Sequence, residues 1–282
     1  QISVTEVETL LADPYAFYAR RVLRLFPLDP LDAEVGAADY GNLVHAAMAG
    51  FIRWLAAGPW PGEVAAQAIF DEAAALALAE AGARPGLLAF WQPRLARIGG
   101  FVVEREAEAR AGNAIARSLV ELTGEIPLRQ PDGRVVTLTA RADRIDVLAN
   151  GRLAILDYKT GTMPGPKAVK EGHKPQLLLE AAMAAKGAFG GLPAGDAAAL
   201  VYWKLTGGPK PGEVQPISAD RDEIAGLAEE AIDRVNALAA RFLLGAAPFL
   251  AWPHPGREPA GDEYQHLSRR AEWAGAEDSV DG

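Results

Sequence analysis

The sequence predicts an α/β fold with a helical N-terminal wrap. Three observations carry that prediction. The chain up to Leu122 holds alanine-rich segments with apolar residues at helical spacing. Two strand-like segments flank Asn150-Gly151, a strong short-range hairpin signal. Beyond Lys174, helix-like and strand-like segments alternate. No repeat and no clear linker interrupts the pattern, so one domain is expected over 1–282: a mainly helical part at 1–122, an α/β core at 123–245, and a C-terminal tail at 246–282 packing on it.

Residues 1–26 read as helical, with overlapping capping-box signals at Ser3/Glu6 and Thr5/Glu8. Pro27 to Asp39 reads as an acidic, proline-containing loop. Asn42 to Ala57 carries Val44, Met48, Phe51 and Leu55 at i, i+4, i+7 and i+11, which predicts a helix. Pro61 to Ala81 reads as another, and Leu87 to Leu122 as one or two more. Strands are expected at Glu125–Leu128, Val135–Val147 and Leu153–Tyr158. Between Thr160 and Lys174 lies a loop placed to contact substrate, although glycine and proline alone do not separate such a loop from a plain connector. Pro175 suits the first turn of a helix reaching Phe189. A strand at Ala197–Lys204 and a long amphipathic helix at Ala219–Leu244 follow. From Gly245 the tail is proline-rich, ordered around Tyr264–Trp273, then acidic and frayed.

The hairpin concentrates the chemistry. Side chains alternate along a strand, so Asp157 and Lys159 share a face. A strict two-residue turn at Asn150-Gly151 would set Asp143 opposite Tyr158 and put the two carboxylates on opposite faces. A three-residue loop, Ala149-Asn150-Gly151 with a left-handed Gly151, pairs Leu148 with Arg152 instead. That register sets Asp143 across from Asp157, and Arg141 across from Lys159. Cβ atoms of such a pair lie roughly 4.5–5.5 Å apart, close enough for both carboxylates to hold one cation. The three-residue loop is therefore expected.

Two adjacent carboxylates repel unless one takes a proton or a cation joins them. Mg²⁺ suits such a pair, since it takes oxygen ligands and keeps several waters. A bound metal acidifies its water and offsets the charge of a phosphate under attack, and Lys159 would orient or deprotonate that water. On spacing alone, an exposed hairpin with a surface Asp–Lys–Arg network accounts for the same residues equally well.

Composition bounds the rest. The chain has 282 residues, half of them apolar, ample for a core. Nothing approaches the ~18 uninterrupted apolar residues of a spanning helix, so no membrane is expected. No basic-then-apolar leader opens the sequence. The absence of cysteine fits a cytoplasmic protein. A formal charge of −9 argues against broad non-specific nucleic-acid binding. From Arg141 to Gln176, however, seven basic residues face four acidic ones, and Arg141, Lys167, Lys170 and Lys174 are candidates for tracking a phosphate backbone. No phosphate-binding Gly-x-x-x-x-Gly-Lys-Ser/Thr loop and no G-x-S-x-G elbow is present. The four histidines are too scattered for a zinc helix motif.

Four ordered segments give a resemblance: GNLVHAAM around His45, ARADRID around Asp143, LDYKTG around Asp157 and Lys159, and KPQLLLEAAM around Gln176. Together they resemble the RecB-type nuclease branch of the PD-(D/E)xK superfamily, most closely the C-terminal nuclease domain of AddB. The opening ISVTEVETLLADPYAFYARRVLRL and the closing YQHLSRRAEW resemble the ends of that domain. The resemblance implies a restriction-endonuclease-like core, with a central mixed sheet flanked by helices. It implies His45, Asp143 and Asp157 as metal ligands, the Tyr158 carbonyl completing the set, Lys159 as the catalytic lysine and Gln176 as a residue that positions the site. A lone histidine beside an apolar face is otherwise more often a core or surface residue than a ligand. Glu121 matches a further acidic position only loosely.

The resemblance further implies an Mg²⁺-dependent DNA exonuclease, with Mn²⁺ as a substitute. It would cut one unwound strand, the one entering 5′ end first, beside an AddA-type helicase–nuclease partner in double-strand-break repair. The chain is then expected to be a fragment of a longer helicase–nuclease subunit, and its acidity implies that the partner supplies much of the DNA affinity. One departure matters. Many AddB domains hold an iron–sulfur cluster on four cysteines, and this chain has none, so no cluster is expected. Asp13 stands where the first cysteine would be, and packing between the terminal segments must replace the staple, with Trp252 and Trp273 as candidates. Two other readings remain: a non-cleaving DNA-binding and docking module of the same complex, and a stand-alone nuclease of the superfamily.

Overall fold

The computed structural model describes residues 1–26, 36–82, 85–111, 114–251, 263–269 and 272. It opens with a two-residue strand, β1 (Ile2–Ser3), and two short helices, α1 (Val4–Ala12) and α2 (Pro14–Arg21). Ser3 caps α1 in the expected capping box: its hydroxyl accepts from the Glu6 N–H, and its own N–H donates to the Glu6 carboxylate at 2.8 Å. The second predicted box is absent because Thr5 already lies inside the helix. Asp13 ends α1 and caps α2, accepting from the N–H groups of Tyr15 and Ala16 at 2.9 and 3.1 Å, with Pro14 in the first turn. Asp13 thus has a structural task of its own, joining the end of α1 to the start of α2.

Three longer helices follow: α3 (Ala37–Ala56), α4 (Glu63–Glu80) and α5 (Pro85–Ala111). Residues 27–35 of the expected acidic loop lie outside the described residues. β2 (Ile115–Arg129) begins where helix was predicted to continue. Its residues from Ile115 to Leu122 pair antiparallel with β3 (Val135–Leu148), and that pairing overrides a weak local pattern. β4 (Leu153–Lys159), α6 (Pro166–Lys170), α7 (Gln176–Ala185) and β5 (Ala197–Leu205) come next. β6 (Gly212–Ser218) was not expected; it is an edge strand beside β5, where Pro216 is tolerated. α8 (Arg221–Leu238) runs into a π-helical turn at Ala239–Leu243.

The sheet is mixed, with strands ordered β1-β3-β4-β5-β6 and β2 also paired to β3. The parallel β4–β5 connection is made through α6 and α7. Since β2 accompanies β3 along its length, β1 and β4 share the opposite edge of β3: β1 at Leu138–Thr139, β4 at Arg144–Val147. Helices cover both faces. One core joins Val7, Leu10 and Phe17 to Leu138, Ile155, Leu200, α7 and α8. The other joins α3, α4 and α5 to Leu156, Tyr158, Trp203 and Leu205. The even and odd residues of β4 divide between these cores, so Asp157 and Lys159 lie on the α7 side.

The predicted hairpin loop is present. Leu148 N–H donates to the Arg152 carbonyl at 2.8 Å, Gly151 N–H donates to the Leu148 carbonyl at 2.9 Å, and Gly151 has φ +77°. Only glycine adopts that conformation without strain. Of the described tail residues, Phe249 stacks on Phe17 and Tyr18 of α2 with centroids 6.1 and 5.2 Å away, and Tyr264 donates its hydroxyl to the carbonyl of Leu25, just beyond α2, at 2.8 Å. Trp252 and Trp273 lie outside the described residues. Among the described residues, no helix is long and apolar enough to cross a membrane.

Candidate metal and catalytic site

The β3–β4 ladder runs from Val147–Leu153 to Arg144–Leu156 and stops one pair before Asp143 and Asp157. There the strands part, and the Asp143 carboxylate accepts from the Tyr158 N–H at 2.8 Å instead. The register is the predicted one. The expected opposition of Arg141 and Lys159 is not formed, because β3 has left β4 by then and pairs with β1 at Leu138–Thr139. Arg141 pairs instead with Glu121 of the neighbouring strand.

Three ligand-type side chains converge at this opening. Ligand atoms of His45 on α3, Glu121 on β2 and Asp143 on β3 all lie within 4.8 Å of one another. His45 Nδ1 stands 3.2 Å from Asp143 Oδ1. Burial alone would lower the histidine pKa, but the hydrogen bond and charge of Asp143, with Asp157 behind it, hold it above the ordinary value. The His45 and Tyr158 rings meet in a T-shaped arrangement, with centroids 6.1 Å apart. α3 comes this close through Gly41, where a Cβ would stand 3.2 Å from Thr160 Oγ1.

Glu121 reaches the group through an irregularity. Ala142 and Ile145, three residues apart, face the same core, and so do Leu122 and Leu119 across from them. Both strands therefore lose their alternation together at Glu121 and Asp143, and Glu121 takes φ +57°. Nothing local in the sequence signals that conformation.

Asp157, Lys159 and Gln176 form a second, adjoining cluster. Gln176 Nε2 donates to Asp157 Oδ1 at 2.6 Å and to Glu180 Oε1 at 3.2 Å, while its Oε1 accepts from Lys159 Nζ at 3.1 Å. Lys159 Nζ also lies 2.8 Å from Asp157 Oδ2 and 5.6 Å from the centre of the Tyr202 ring. Burial pushes the Asp157 carboxyl up to about 6 against the pull of Lys159, and the Asp143 charge adds to the rise. Burial disfavours the Lys159 cation, yet Asp157 holds its pKa above the usual lysine value. Glu180 is fully buried, and its pKa is pushed well above the carboxylate range by burial first and by Asp157 second.

Beneath Asp143 the neighbouring Arg144 is locked. Its Nε meets Asp146 Oδ1 at 2.7 Å, its Nη1 pairs with Glu106 of α5, and its Nη2 lies 3.2 Å from the same carboxylate. Arg110 adds a contact to Glu106 at 3.1 Å. Burial would raise the Glu106 pKa, but the two guanidinium groups hold it below the ordinary value. This buried pairing ties β3 to α5 right beside the site.

The four predicted phosphate contacts are all ion-paired. Arg141 pairs with Glu121, Lys167 with Glu171 at 3.8 Å, Lys170 with Glu223 at 2.6 Å and Lys174 with Glu8 at 3.2 Å. The sequence alone gives Glu8 a capping role. In the fold its carboxylate lies 3.4 Å from the Gln176 N–H and helps to raise the Lys159 pKa. Glu180 is not among the residues the sequence motifs single out, although an acid one turn after Gln176 in an otherwise apolar run is a visible signal.

Comparison with known proteins identifies the family. The family model described as the PD-(D/E)XK nuclease superfamily matches residues 1–256. Uncharacterized proteins of Rickettsia bellii (strain RML369-C) and Rickettsia conorii (strain ATCC VR-613 / Malish 7) are 28% and 29% identical over 194 residues. In each case the match covers 67% of this chain and 22% of the relative, so the chain spans about a fifth of those proteins. The crystal structure of SSO0001 is similar at a TM-score of 0.30 and 16% identity, covering 75% of this chain and 77% of that one. At that score the likeness is loose, and the family assignment rests on the family match.

Proposed function

We propose a metal-dependent nuclease activity for this chain, which belongs to the PD-(D/E)XK nuclease superfamily. The observation that carries the reading is the convergence of His45, Glu121 and Asp143 at the opening between β3 and β4, beside Asp157 and Lys159. One imidazole and a set of carboxylates form a nitrogen-and-oxygen donor set that fits Mg²⁺ and, because of the nitrogen, fits Mn²⁺ at least as well. In this reading His45, Asp143 and Asp157 hold the cation, the Tyr158 carbonyl completes the set, and Glu121 joins them. A cation there supplies an acidified water and offsets phosphate charge.

The protein's own groups do the rest. Lys159, held above its usual pKa, is a poor base; it orients the attacking water and offsets charge on the scissile phosphate. Gln176 holds the Asp157–Lys159 pair in place. Arg141, Lys167, Lys170 and Lys174 meet the nucleic-acid backbone only by exchanging their carboxylate partners for phosphates, so they contribute modestly to affinity.

The substrate we infer is DNA, one strand of an unwound duplex entering 5′ end first. The resemblance of the four motifs to AddB supports a cytoplasmic helicase–nuclease of the AddAB type, with an AddA-type partner supplying affinity that a chain of formal charge −9 lacks. The test is incubation of single-stranded DNA, labelled at either end, with Mg²⁺, Mn²⁺ or EDTA. Metal-dependent release of short 5′-labelled products is expected. A metal-loaded protein that leaves both substrates intact would overturn the reading.

A further inference from the structure

We propose that Glu180 is a positioning residue: its carboxyl anchors the side-chain amide of Gln176, which in turn holds Asp157 and Lys159. The consequence for cutting rests on the nuclease reading above; the geometry does not. Leu177, Leu178, Leu179, Ala181, Ala182, Met183 and Ala184 are all buried and apolar, and Glu180 sits among them with no exposure at all. A carboxyl in such a place costs stability that a leucine of similar size would not. Its one hydrogen bond among the described residues goes to Gln176, one turn back on the same helix face, and its second oxygen has no partner there.

The Gln176 amide has three side-chain contacts, and each has a fixed polarity. Its NH₂ faces the carboxyl groups of Asp157 and Glu180, and its oxygen faces the Lys159 ammonium. A flipped amide would reverse all three. Two of those partners belong to the reaction, however. A cation competes for Asp157, and a phosphate competes for Lys159. Glu180 is the contact that neither draws away, so it keeps the amide aimed while the others work.

The experiment compares Glu180→Gln, which keeps a carbonyl acceptor, with Glu180→Met, which keeps the volume and removes it. Thermal unfolding checks the fold, the Gln176 side-chain NH₂ resonances report the anchor, and kcat and KM are read on single-stranded DNA. Glu180→Gln should keep wild-type resonances and a kcat within about threefold of the parent. Glu180→Met should shift the resonances and lose about tenfold or more in kcat with KM little changed. Should the Met variant not fold, Glu180→Asn, whose shorter amide withdraws the acceptor, is read in its place. Unchanged Gln176 resonances in the folded Met or Asn variant would overturn the proposal, as would an equal loss in Glu180→Gln. If the wild type does not cut, the nuclease reading fails, and the resonances alone decide the anchor.

Discussion

Glu121 and Asp143 face each other across β2 and β3 where both strands lose their alternation, between the pairs Val120–Arg144 and Leu122–Ala142. Glu121 stands there with φ +57°, a conformation that costs a non-glycine residue about 1–3 kcal/mol. A strand relaxes such strain unless its surroundings hold it, and here the result is a carboxylate beside His45 and Asp143.

Glu121→Gly should therefore fold at least as well as the parent, gaining up to about 1 kcal/mol from relieved strain. Its affinity for Mn²⁺ should fall about tenfold or more with the lost donor. Calorimetric titration and thermal unfolding give both numbers. Unchanged Mn²⁺ affinity would remove Glu121 from the site.

Asp157 predicts a pH dependence. With its carboxyl pushed up to about 6, the metal-free protein holds a proton there in acid, below about pH 6, that a cation must displace. Mn²⁺ should bind more weakly at pH 5 than at pH 7.5, releasing protons as it binds. The stability sign follows from the raised value: the group's contribution is full below the unfolded pKa of about 3.9 and is lost as pH rises through about 6. Metal-free Asp157→Asn should then unfold at a higher temperature than the parent at pH 8, with the gap closing toward pH 4. A gap that widens in acid would contradict the assignment.

The pairing of Glu106 with Arg144 predicts a stability loss. Glu106→Ala leaves a fully buried guanidinium with Asp146 alone, and the cost should be about 3 kcal/mol. Adding Arg144→Met should recover most of it. Denaturant unfolding of the single and double variants tests this; a single-variant cost below about 1 kcal/mol would show that the network is not holding β3 to α5.

Much of this arrangement was legible because it is local. Asn150-Gly151 set the hairpin, the hairpin set the register of Asp143 against Asp157, and Ser3 with Glu6 set the start of α1. What stayed hidden depends on partners far along the chain. β1 is two residues long and exists only because β3 offers an edge. β6 carries Pro216 and makes sense only beside β5. Ile115–Leu122 reads as helix until β3 is there to pair with it. Glu121 depends on a left-handed backbone that no local rule predicts, and Glu8 reaches the site only once α1 packs against α7.

The most direct test of the account is DNA cleavage by Lys159→Ala with Mn²⁺ binding measured on the same sample. Lys159→Ala should bind the metal, keep its fold and cut about 10²-fold or more slowly than the parent. A Lys159→Ala protein that binds Mn²⁺ and cuts at the wild-type rate would contradict it, because the chemistry would then not run through this site.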